Sequence, residues 1–173
     1  VAKPLAAVVD AQVTRSVLVG AHLVALVDDA DYAVVSTHRW HVSPQGYAAD
    51  TNTELLMHRL VLGVDASAHV DHRNRNKLDN RRRNLRTATR SQNLHNTLKH
   101  RDNSSGFKGV SFCKTTQRWR ARVMVGRKYI FIGRYDMPEE AASAFDAYVR
   151  TAVPDFARLN FPRKGEMSAL EGD

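Results

Sequence analysis

The sequence predicts an α+β protein built as two small units. Three observations carry that expectation. Runs of β-branched and aromatic residues of strand length recur along the chain, and short apolar stripes at helical spacing stand between and after them. A polar, turn-rich stretch, Lys99 to Gly106, separates two basic blocks. The 173 residues suit one domain or two small ones. With 43% apolar and 25% charged residues the chain has the composition of a folded protein, which argues against disorder.

Taken in order, residues 17–27 are rich in β-branched residues and read as strand. Asp28, Asp29 and Asp31 mark a turn or helix start, and Tyr32 to Ser36 a short helical turn. Trp40–Ser43 and Gly46–Ala49 read as a hairpin. Thr53 to Leu62 reads as a helix capped by Thr53 and ended by Gly63. Ala66 to His72 is a strand, Arg73 to Arg83 a loop, and Thr89 to Asn96 a helix. Three strands follow at 107–113, 118–125 and 128–135. Pro138, Glu139 and Glu140 then open a helix whose stripe is Ala141, Ala142, Ala144, Phe145, Tyr148 and Val149, and Pro154 ends it. The units are expected at 1–98 and 107–162, with a linker over 99–106 and a flexible tail over 163–173.

Charge narrows the partner. The chain has 26 Lys and Arg against 18 Asp and Glu, a net +8. Residues 71–101 and 107–135 each carry a net +8, whereas 1–70 and 136–173 are acidic. Two basic footprints between acidic flanks point to two contacts along one polyanion. Neither block has the amphipathic pattern of a membrane-surface helix, and no apolar run is long enough to span a bilayer. A single cysteine, Cys113, excludes an intrachain disulfide framework and any Cys–Cys zinc site, so an intracellular, cytoplasmic protein is expected. Asp10, Arg15 and His22 interrupt the apolar start, so no secretory signal is expected.

Within the first block, Asp71-His72 closes an apolar strand, Asn84 follows 12 residues after the histidine, and Asn93 follows 9 later on the helix. With Leu78-Asp79-Asn80-Arg81 and Asn84-Leu85-Arg86 between them, this pattern resembles the HNH nuclease motif, a strand–loop–strand–helix (ββα-metal) unit that holds one divalent metal. The resemblance implies that His72 is the general base, that Asp71 and Asn93 are oxygen ligands to Mg²⁺ or Mn²⁺, and that Asn84 orients the His72 ring or braces the loop. The chemistry agrees. Phosphodiester hydrolysis needs a base and a Lewis acid, imidazole titrates near cellular pH, and Mg²⁺ prefers oxygen donors. Arg73, Arg75, Arg81, Arg82, Arg86 and Arg90 are expected to hold the DNA backbone. Asp79 and Asn80 read as a turn, Asn96 as a helix end, and His58 and Arg59 as helix surface or backbone contacts. Trp40, Leu60, Val70 and Leu85 are the expected core, without zinc.

The second block resembles an AP2-type DNA-binding domain through Lys108-Gly109-Val110, Trp119-Arg120-Ala121-Arg122-Val123, Phe131-Ile132-Gly133-Arg134-Tyr135, Glu139-Glu140-Ala141-Ala142 and Leu159-Asn160-Phe161-Pro162. The resemblance implies a three-stranded antiparallel sheet packed on one helix. Strand alternation places Trp119, Ala121, Val123, Ile130 and Ile132 on the core side. It turns Arg120, Arg122, Met124, Tyr129 and Phe131 outward, where arginines can enter a major groove. Lys108, Arg118 and Arg134 complete the expected DNA contacts. Ser111 and Cys113 stand where plant AP2 domains have basic residues, and Cys113 reads as a small, half-buried residue.

The pairing of an HNH unit with an AP2-like domain is similar to small homing endonucleases of phages and other mobile elements. It implies a metal-dependent endonuclease acting on double-stranded DNA, as a monomer on an asymmetric site. The rival reading is a non-catalytic DNA-binding regulator derived from a nuclease. An RNA-binding module is the weaker third, because an A-form major groove is too narrow for a sheet.

Overall fold

The computed structural model describes residues 13–126 and 128–170. The opening apolar stretch considered for a signal lies partly outside them. Packing divides the chain into two compact units. One runs through His72 and includes 76–86; the other holds Arg73–Arg75 and the chain from Thr87 onward. The expected linker at 99–106 is therefore not where the compact units part.

In the first unit the predicted strand over 17–27 is a hairpin. Gly20, at φ +62°, turns the chain between β1 (Thr14–Val19) and β2 (Leu23–Asp28), which pair antiparallel from Thr14↔Asp28 to Val19↔Leu23. α1 (Asp29–Val35) follows directly. β3 (Trp40–Val42) meets β1 in parallel at Val19↔Trp40 and pairs antiparallel with β4 (Ala48–Asp50), giving the sheet order β2-β1-β3-β4. Val17, Val19, Ala25, Val27, Val35, Trp40, Met57, Val61 and Leu85 form its core, with Leu60 and Val70 packed against it. The four expected core residues are all among them.

Thr53 does not cap the next helix. It bonds Asp50 through both its amide and its hydroxyl, and α2 (Met57–Leu62) begins four residues later, ending at Gly63 in the left-handed region. Burial works against the Asp50 carboxylate, but bonds from Thr53, His38 and Asn52 outweigh it and hold it down to about 2. β5 (His69–His72) and β6 (Leu85–Ala88) form a two-stranded sheet, with a 3₁₀ turn at Arg82–Asn84 between them. α3 (Arg90–His95) starts at a capping box: the Thr89 hydroxyl accepts from the Gln92 amide, and the Thr89 amide donates to the Gln92 side chain.

In the second unit β7 (Val110–Cys113), β8 (Arg118–Val125) and β9 (Lys128–Tyr135) form an antiparallel sheet in chain order. α4 (Pro138–Ala152) buries Ala141, Ala142, Phe145 and Val149 against Val110, Ala121 and Val123. Asp146, on the same helix, accepts the amides of Asn160 and Phe161, and the Asn160 side chain bonds the backbone of Lys108. This ties the closing Leu-Asn-Phe-Pro segment to α4 and to the chain just ahead of β7. The expected flexible tail is in part structured. β10 (Arg158–Leu159) pairs in parallel with β11 (Met167–Ser168), and Ala169 is buried. That stretch closes its backbone bonds against buried apolar residues, which composition alone does not reveal. No helix among the described residues is long and apolar enough to cross a membrane.

Gly109 shows how tightly α4 seats. Its φ is +76°, and a Cβ there would lie 2.2 Å from the Phe145 ring and 3.0 Å from the Arg122 carbonyl. Gly109→Ala is expected to cost about 2–3 kcal/mol, from overpacking plus the left-handed backbone. Urea unfolding should show a lower midpoint with an unchanged slope.

Candidate active site

Strand β5 ends at the residue pair of interest. Asp71 and His72 are both buried. The Arg86 guanidinium, one strand over on β6, donates Nε–H to Asp71 Oδ2 at 2.7 Å. Placing two buried opposite charges in direct contact offsets the desolvation that either alone would suffer.

The His72 ring sits among other rings. His58 on α2 packs edge-on at 5.2 Å between centroids, and Tyr47 lies 5.8 Å from His72 and 5.1 Å from His58. His72 Nε2 stands 3.3 Å from Asn80 Oδ1. Burial pushes His72 below its usual pKa, although Asn80, Asp71 and Asp79 pull the other way. That direction favours the neutral imidazole, whose lone pair can accept a proton. Burial, aided by His72 and Arg59, drives His58 down to about 3.

Asn84 is buried and donates Nδ2–H to the Asp79 carbonyl at 2.7 Å, so of the two roles implied for it the placement matches the brace on the loop. Backbone bonds hold that loop against β2: Leu26 donates to the Leu78 carbonyl and Asn80 donates to the Leu26 carbonyl. Asn93, on α3, belongs to the second unit. Its Oδ1 is buried and accepts no hydrogen bond among the described residues. An amide oxygen left in that state costs about 1–3 kcal/mol. It is the kind of hard donor a divalent cation takes, so Asn93 fits the ligand role implied for it. The described residues hold no group of three or more His, Cys, Asp or Glu suited to a metal. A cation here would rest on few protein oxygens and keep several waters, as Mg²⁺ does.

The outward face of the second sheet has the predicted residues. Tyr129 and Phe131 are 61% and 55% exposed. Arg122 lies over the Tyr129 ring at 4.8 Å and Arg134 over Phe131 at 5.1 Å. Arg120 pairs across the strands with Ser111 and with Arg134. The Arg120 Nε and Ser111 Oγ are both buried without a hydrogen-bond partner among the described residues. Arg118 forms an exposed pair with Asp136.

Residues 55–95 match the HNH endonuclease family model, and residues 105–153 match the AP2 domain model. The chain joins an HNH unit to an AP2 domain. An uncharacterized HNH endonuclease of Acanthamoeba polyphaga mimivirus is 27% identical over 143 residues, covering 79% of this chain and 74% of the viral protein. APETALA2-like protein 2 of Oryza sativa is 35% identical over 82 residues, 40% of this chain, which spans only 19% of the rice protein's length. No solved structure matches the chain.

Several cations expected on DNA are used inside the HNH and AP2 units instead. Arg86 is buried against Asp71. Arg81 forks onto Asp79 at 2.7 and 2.6 Å. Arg82, half exposed, forks onto Asp31 at 2.9 and 2.7 Å. The Lys108 ammonium donates to the carbonyls of His95 and Thr97, each at 2.6 Å, at the end of α3. In each case an acidic residue or the end of a helix claims the charge, two residues away for Arg81 and 11 or more for the others. Arg73, Arg75 and Arg90 are exposed as expected. His58 and Asn80 are the residues that sequence reasoning misplaced, one as helix surface and one as a plain turn; both touch His72. The signal for His58 was present in the helix pattern, since Met57 and Val61 bracket it on a buried face.

Removing Arg86 should unpair a buried carboxylate. Arg86→Met is expected to destabilise the protein by about 3 kcal/mol. Adding Asp71→Asn should recover a large part of that loss, read as a coupling energy in a double-mutant cycle by chemical unfolding.

Proposed function

We propose that this chain is a metal-dependent DNA endonuclease of homing type, cutting or nicking double-stranded DNA near a sequence bound by its AP2 domain. The observation that carries this reading is the placement of His72: its ring lies at the end of β5, directly after Asp71, against His58, Tyr47 and Asn80, within an HNH unit. His72 takes the proton of the attacking water as general base. Asp71 and Asn93 supply oxygens to one divalent cation, Mg²⁺ or Mn²⁺, and Asn84 steadies the loop that brings Asn80 to the His72 ring. This ligand set follows from the sequence pattern and from each residue's own surroundings. When bound, the cation supplies Lewis acidity at the scissile phosphate. Arg73, Arg75 and Arg90 hold phosphates. Two unequal DNA-binding modules in one chain fit a monomer on an asymmetric site in an intracellular setting.

Purified protein incubated with supercoiled plasmid should nick it with Mg²⁺ or Mn²⁺ and not with EDTA. His72→Ala should reduce the rate by at least about 100-fold, the usual share of a general base, while DNA affinity holds. Binding without cleavage under any metal would overturn this reading and leave the regulator.

The AP2 sheet is the proposed reader, through Arg120, Arg122, Arg134 and the two outward rings. Changing Arg120 and Arg122 together to Ala should weaken binding to a selected site by about 2–4 kcal/mol but leave nonspecific nicking intact. In mobility-shift titrations the logarithm of the affinity should fall linearly with the logarithm of salt concentration. An unchanged affinity in the double variant would assign recognition elsewhere.

A further inference from the structure

Helix α3 carries Asn93, yet it has only six residues, too few to stand alone in water. What holds it comes from the AP2 side of the sequence. The Lys108 ammonium donates to the carbonyls of His95 and Thr97 at the helix's end, each at 2.6 Å. That is where the helix dipole favours a cation and where carbonyls lack partners. Arg158, at the start of β10, is fully buried. Its Nε–H donates to Asn96 Oδ1 at 2.9 Å, one residue past the helix, and its other nitrogens donate to the carbonyls of Ser168 and Arg73. Arg73 directly follows His72. At the front of the helix, the Gly126 amide in the β8–β9 turn donates to Ser91 Oγ at 2.9 Å. Two cations and one turn thus grip both ends of α3 and the residue after the strand end. All of these groups lie within the second compact unit.

We propose that Lys108 and Arg158 are positioning residues for the nuclease centre: the AP2 domain holds the helix that presents Asn93, so the HNH unit depends on it for more than DNA binding. This deepens the reading above and rests on Asn93 being a metal ligand. Lys108 touches no substrate in this scheme. It acts through the α3 carbonyls, and Arg158 acts through Asn96 and the Arg73 carbonyl. The arrangement also explains why a lysine in the second basic block points inward. A chain lacking these contacts would still fold its three-stranded sheet, because the core of Val110, Ala121, Val123, Phe145 and Val149 does not include them.

The test uses the full chain and two variants, Lys108→Met and Arg158→Lys. Amide hydrogen exchange at residues 90–97 should become about tenfold faster or more in Lys108→Met, the size expected for losing a charged hydrogen bond, while β8 and the β1–β2 hairpin stay protected. Arg158→Lys, which keeps the charge and only part of the fork, should give a smaller increase. Mn²⁺ titration followed by electron paramagnetic resonance should show weaker binding in Lys108→Met, with DNA affinity unchanged within about twofold. Exchange at 90–97 equal to that of the unaltered chain overturns the proposal. So does a Lys108→Met chain that loses DNA affinity with α3 still protected, since that result makes Lys108 a phosphate contact. Absence of Mn²⁺ binding in the unaltered chain overturns the metal reading, and with it the link to the nuclease centre.

Discussion

The contact between Arg86 and Asp71 sets the frame for the HNH unit. Each charge would be prohibitive to bury alone, and together they fasten β6 to the end of β5, where His72 emerges. Around that fixed point the chain adds further inward charges. Arg81 and Arg82 turn back onto Asp79 and Asp31, and the Arg82 amide donates to Asp28. The Arg81 pair braces the loop between the two short strands, and the Arg82 contacts tie that loop to the hairpin and to α1. Arg86, Arg81 and Arg82 are thus joints as much as surface charge. The imidazole inherits its order from the same loop, through Asn80.

Much of the architecture was legible in the sequence, because period and punctuation agree there. The alternation of Trp119, Ala121 and Val123 against Arg120 and Arg122 reads directly as two faces, and Pro138 followed by two glutamates marks the start of α4. The basic loop was harder. Charge counting gives the sign of a segment but not the direction of each side chain, and the acids that capture Arg81, Arg82 and Arg86 are two, 51 and 15 residues away. No local pattern encodes the longer of those separations. His58 is the opposite case: Met57 and Val61 mark the buried face of α2, and His58 lies on it, so the helix pattern carries that signal. The hairpin at Gly20 was missed because apolar residues on both sides hid the turn.

The boundary between modules is also instructive. The family matches end at 95 and resume at 105. Packing draws the line elsewhere. It assigns α3 and Arg73–Arg75 to the second unit because Lys108, Arg158 and Gly126 bind them there. Sequence families record what is inherited together, whereas compact units record what is buried together, and here the two differ by Arg73–Arg75 and the stretch from Thr87 through α3.

Between Ala121 and Arg122 the pairing of β8 with β9 slips by one residue, so Arg122 faces Phe131 and Ile132 is passed over. Strict alternation from Phe131 would have turned Arg134 toward the core; the slip lets it lie over the Phe131 ring instead. The wet and dry sides of this sheet therefore depend on an exact residue count in β9. Gain or loss of a single residue between Lys128 and Tyr135 would exchange the two sides.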